Sequence, residues 1–144
     1  MTASSDPFQL QRFADAQKGV FDIALSELQS GAKRGHWMWF VFPQIAGLGL
    51  SETSRRFAIR SLEEANAYLD HPLLGPRLRR SVEALLAWAG KRDPEAILGS
   101  IDAMKLRSSL TLFAAAAPGE PLFGRALDAF FDSPDPETLR RLPA

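Results

Sequence analysis

The chain has 144 residues, 46% of them apolar and 24% charged, with 17 basic side chains against 17 acidic ones. That length fits one domain with a real core, and the apolar share excludes a disordered chain. The absence of cysteine excludes a disulfide framework and thiolate chemistry, and the charge balance gives no general drive toward nucleic acid or an anionic membrane.

The first residues, MTASSDPFQLQ, are polar and lack the apolar run of a secretory leader. Nowhere does the sequence approach the ~18–20 apolar residues that a membrane span needs. A soluble cytoplasmic protein is the expectation, with residues 1–5 loosely held and 6–144 forming a single helical domain.

Asp6-Pro7 reads as a helix start, an aspartate cap followed by proline at the first helical position. Leu10, Phe13 and Gln17 share the face that follows. Phe21, Leu25 and Leu28 mark a second helix, which Gly31 stops. The run Trp37–Phe42 is fully apolar and suits either a buried strand or a buried helical turn. No partner strand is evident, and an unpaired backbone in the core is costly, so a short buried helix is expected. Pro43, Gly47 and Gly49 then force a loop.

Ser51 can cap a short helix reaching Phe57 or Ile59. Ser61-Leu62-Glu63-Glu64 is a capping box for a helix to about Leu69. Asp70-His71-Pro72 breaks it. Leu74, Leu78, Val82, Leu85, Leu86 and Ala89 form the longest helical pattern, ending near Gly90, and Asp93-Pro94 starts a short helix closed by Gly99. Asp102 is placed to cap the next, whose stripe is Leu106, Leu110, Phe113 and Ala117. Because Leu110 to Ala117 holds one polar residue, Thr111, this helix should be central and buried. Pro121 and Asp135-Pro136 begin the last two. Val and Ile are too few for a sheet. The fold class is therefore all-α: a compact multihelical domain of seven to nine short helices around a short buried Trp-rich segment.

Two blocks carry the candidate chemistry. In the first, Lys33, His36, Trp37, Trp39 and Gln44 lie within twelve residues. A histidine exchanges protons near neutrality, tryptophan rings stack on flat ligands, and Gln44 is an amide in an otherwise apolar neighbourhood where buried tryptophan N–H groups want a partner. In the second, Asp102, Lys105 and Ser109 share a helix face, with Ser108 beside them. Lysine and hydroxyls near a helix start suit an anion. Each block also has a plain structural reading, as core aromatics and as a capped helix with an internal Asp102–Lys105 pair. His71 reads as a turn and cap residue, and Arg55-Arg56 as a solvated face. Two histidines without cysteine give no zinc spacing, and no dinucleotide fingerprint, phosphate-binding loop or nucleophile elbow is present. No metal and no cofactor is expected.

The blocks HWMWFVFPQ (36–44), HPLLGPRL (71–78) and KLRSSLTLF (105–113) are similar to those of a bacterial family of small uncharacterised proteins. The resemblance spans about residues 8 to 141. A calpastatin-like label is sometimes attached to such proteins, and no feature of this sequence supports calpain inhibition. The resemblance implies an entirely helical fold with a short buried central helix, and it implies no particular activity.

The side-chain inventory alone leads to one leading expectation. It is a small-molecule site for a ligand with a ring and an anionic group, such as a nucleotide or an ADP-ribose-like compound. If the site is hydrolytic, His36 or Asp102 would activate water and Lys105 would stabilise developing charge. Lys33, Trp37, Trp39, Gln44, Ser108 and Ser109 would hold the ligand. The alternatives are a non-catalytic interaction or structural module with both blocks in the core and, ranked last, a nucleic-acid-binding accessory protein.

Overall fold

Short-range signals set most helix boundaries. Ser51, Ser61, Asp93 and Asp135 each accept a hydrogen bond from the backbone N–H three residues on, at 2.8–3.1 Å, and proline follows both aspartates. The computed structural model describes residues 6–142, so the expected loose segment over residues 1–5 lies outside the described residues. The helices are α1 (Gln11–Gln17), α2 (Phe21–Ser30), α3 (Met38–Val41), α4 (Glu52–Arg56), α5 (Leu62–Asp70), α6 (Leu74–Leu86), α7 (Pro94–Leu98), α8 (Ser100–Ala116), α9 (Pro121–Phe130) and α10 (Pro136–Arg141). That is ten among the described residues, more than the seven to nine expected; α3 and α4, four and five residues long, are the shortest with α7.

Three boundaries differ from the sequence expectation for physical reasons. Asp6 does cap, but its carboxylate reaches the N–H groups of Leu10 and Gln11 at 2.8 and 2.9 Å, so a turn precedes α1. The long pattern of α6 gives way to turns after Leu86, short of Gly90. Helix α8 starts at Ser100 with Gly99 as its N-cap, which leaves the Asp102 carboxylate free for tertiary contacts. Gly31 ends α2 in the left-handed region, φ 72°, as a helix C-cap favours.

Helix α8 is the centre. It packs against α5, α7, α9 and α10, while α6 carries α2, α5 and α9. Its middle, Ser108 to Phe113, is buried on every side. A chain of ring contacts crosses the core: Phe57 to Phe13 (5.7 Å), Phe13 to Tyr68 (5.1 Å), Tyr68 to Phe113 (5.5 Å) and Phe113 to Phe123 (5.7 Å). The core is thus phenylalanine and tyrosine rather than tryptophan-rich. Trp37 is fully buried, but Trp39 and Trp88 only partly, because α3 turns Trp39 toward a neighbouring loop.

After α3 the chain pairs briefly with the segment following α4. Ala46 N donates to Ile59 O and Ile59 N to Gln44 O, both at 2.8 Å. This isolated parallel bridge, Ile45 with Ile59, is the one β-type pairing among the described residues. No helix of the described residues is long and apolar enough to cross a membrane.

Candidate functional site

The approach to α3 is held by one carboxylate. Glu27 Oε1, on α2, accepts from Arg34 N (2.8 Å), Gly35 N (3.0 Å) and Trp37 Nε1 (2.9 Å). Burial opposes its ionisation. The N–H donors of Gly35, Arg34 and Trp37, with the Lys33 charge, outweigh that and hold its pKa below the ordinary value. The buried indole N–H of Trp37 therefore has a charged partner, and the 33–37 segment is fixed against α2.

A second carboxylate joins that segment to α8. Asp102 receives Lys33 Nζ at 2.7 Å and Lys105 Nζ at 3.1 Å, one ammonium on each oxygen. Lys33 also donates to Gly35 O. The lysines stand over the two indoles: Lys33 Nζ lies 5.1 Å from the Trp37 ring centre and Lys105 Nζ 4.2 Å from that of Trp39. Five of the residues singled out in the sequence thus form one cluster. Burial raises the Asp102 pKa, but hydrogen bonds and charge from Lys33 and Lys105 prevail and lower it. A carboxyl with a depressed folded-state pKa adds stability that is present above its unfolded value, about 3.9, and disappears as pH falls through the folded value. Asp102→Asn should accordingly cost about 1.5–3 kcal/mol at pH 7. Urea denaturation at stepped pH should show the gap between variant and native protein shrinking only as pH falls below ~3.9 and on through the folded-state value; a gap left unchanged by that fall would contradict the assignment.

Beside this cluster lies a cavity of about 250 Å³ between the 44–49 loop and the segment from Ser54 to Arg60, lined by Trp39, Gln44, Gly49, Ser54, Arg55 and Arg60 among others. Its loop wall depends on a close approach. A Cβ on Gly49 would lie 2.6 Å from Ser54 Cβ and 3.2 Å from the Trp39 ring, so only glycine lets the loop settle there. Gln44 is 7% exposed, and its Nε2 has no hydrogen-bond partner among the described residues. A buried amide without an acceptor costs about 1–3 kcal/mol. Arg55 and Arg60 are exposed at the rim, with no side-chain hydrogen bond or ion pair among the described residues.

The remaining sequence candidates sit apart from this cavity. His36 is exposed, makes no side-chain hydrogen bond among the described residues and does not line the cavity. Ser108 Oγ contacts Met104 O and Asp135 Oδ2, both at 3.2 Å, and so ties α8 to the start of α10. Ser109 is fully buried, its Oγ without a partner among the described residues. His71 Nδ1 accepts from Leu73 N and Leu74 N at 3.1 and 3.2 Å, a cap on α6. Among the described residues no three His, Asp or Glu side chains are grouped to hold a metal. Arg12 and Glu27, which shape the site, carry no local motif, and Glu64 was legible only as the end of a capping box; its Oε1 takes the Arg60 N–H and its Oε2 the Arg12 guanidinium. Arg55 stood out in sequence only as half of a basic pair after the glycine loop.

Comparison with known proteins accords with this fold. Curated proteins offer no match. The chain is 46% identical to the conserved hypothetical protein Rv1873 from Mycobacterium tuberculosis, whose crystal structure at 1.38 Å superposes with a TM-score of 0.92 over 95% of this chain and 98% of that one. A family model described as "Protein of unknown function (DUF1810)" matches residues 7–142. The chain therefore belongs to that family, an all-helical bacterial group.

Proposed function

We propose that the cavity beside Trp39 and Gln44 binds the planar ring of an anionic small molecule of nucleotide or ADP-ribose-like type. The observation that carries this reading is Gln44, a buried amide whose N–H groups lack an acceptor at the wall of a cavity. A heteroaromatic ring supplies acceptor atoms to that amide and a flat face to the half-buried Trp39. Lys105 and Asp102 act here through Trp39: the salt bridge holds the ammonium against the indole, and the indole lines the cavity. Hydrolysis with Asp102 or His36 as the base has less support. Both Asp102 oxygens are taken by ammonium groups, and His36 does not line the cavity.

Calorimetric titration with adenosine and with adenosine 5′-diphosphate tests the reading. Binding in the millimolar range or tighter is expected, with Gln44→Leu weakening it about tenfold. The same variant should be as stable as the native protein or more so, since it removes an unpaired buried amide. Absence of heat from both compounds, or equal affinity in the variant, would reject it.

A further inference from the structure

The cavity alone is small for a whole nucleotide. Sites that enclose a complete ligand span roughly 300–1,000 Å³, against about 250 Å³ here. The rest of such a ligand must lie outside it, and the surface next to it has one dominant character. A groove of about 580 Å³ is lined by Arg12, Arg55, Arg56, Arg60, Phe8 and Glu64 among others, and it shares Arg55 and Arg60 with the cavity.

The charge in this groove is not internally balanced. Glu64 is its one carboxylate, and both oxygens are already engaged: Oε2 by Arg12 at 2.8 Å and Oε1 by the Arg60 backbone N–H at 3.1 Å. Arg55, Arg56 and Arg60 remain exposed, with no ion-pair partner among the described residues. Arg56 lies over the Phe57 ring, 5.3 Å from its centre, which leaves its charge unneutralised. In a chain with no net charge, three uncompensated guanidinium groups around one groove make a local site for an anion. Guanidinium forks match phosphate oxygens in pairs, where an ammonium offers a point charge. Arg12 is already bound to Glu64, and Lys33 and Lys105 to Asp102.

We infer that the Arg55–Arg56–Arg60 groove is a phosphate-chain subsite, and that the preferred ligand class is an organic diphosphate with its ring in the Trp39–Gln44 cavity. For the ring half only, this rests on the function proposed above. The groove is larger than the cavity and holds three unpaired cations besides Arg12, so it seats two phosphates rather than one. The phosphate lies with the arginines and not with Lys105 or the start of α8.

A calorimetric series with adenosine, adenosine monophosphate, adenosine diphosphate and inorganic pyrophosphate tests the subsite, using the full chain and two variants. Arg56→Gln alters the groove alone, since Arg56 does not line the cavity; Gln44→Leu alters the cavity alone. Affinity should rise about tenfold from the monophosphate to the diphosphate, and pyrophosphate should bind without a ring. Arg56→Gln should weaken the diphosphate and pyrophosphate about tenfold and leave adenosine unchanged. If adenosine binds while added phosphates and Arg56→Gln change nothing, the subsite is overturned and the ring reading survives. If pyrophosphate binds and depends on Arg56 while Gln44→Leu has no effect on the diphosphate, the subsite stands and the ring reading falls.

Discussion

Arg12→Ala is expected to lower the free energy of unfolding by about 3–5 kcal/mol, the range for breaking a buried ion pair from one side. The Glu64 side chain is 4% exposed and pairs with Arg12 at 2.8 Å, so the variant strands a buried carboxylate. The same guanidinium also donates to the carbonyls of Phe8, Gln9, Arg56 and Ala58 at 2.6–3.0 Å. One side chain thus ties the turn before α1 to the end of α4 and the start of α5. The Arg56 and Ala58 carbonyls belong to the segment that carries Arg55 and Arg60, so loss of Arg12 should also loosen both proposed subsites. Urea denaturation at pH 7 gives the stability. Adding Glu64→Gln to the variant should recover part of the loss, because it removes the stranded charge. A deficit under about 1 kcal/mol would show that the pair is worth no more than a surface bridge.

Phe113→Ala should cost about 3–5 kcal/mol for a different reason, the cavity left in a close-packed core. Phe113 is fully buried at the middle of α8 and touches the rings of Tyr68 and Phe123, at 5.5 and 5.7 Å. It links the helices on either side of α8, so the void cannot collapse without moving α5 or α9. Phe113→Leu should lose less, since most of the volume is kept. Thermal unfolding followed by near-ultraviolet circular dichroism distinguishes the two; equal losses from both would mean that ring contact, rather than volume, sets the cost.

Both predictions concern residues that differ in how readable they are. Phe113 lies on a stripe with Leu106 and Leu110, so its burial follows from helical spacing. Arg12 lies 52 positions from Glu64, and no local pattern joins them. The site divides in the same way. Trp39 and Gln44 stood out because an amide and an indole sit within a few residues of an apolar run. Arg55 looked like half of a solvated face and Arg60 gave no signal, until the loop at Gly49 folded over Ser54 and placed a cavity beside them.

By itself the sequence determined the helical class, the caps at Ser51, Ser61, Asp93 and Asp135, the stop at Gly31 and the central place of α8. These depend on hydrogen bonds and side-chain periodicity within a few residues, which a linear string records. Only the tertiary structure decided that Asp102 meets Lys33 as well as its helical neighbour Lys105, that the Gln44 amide lacks a partner, and that three unpaired arginines share a groove with one spoken-for carboxylate. Charges and polar groups from distant segments act on one another through space, and their distances exist only once the helices have packed.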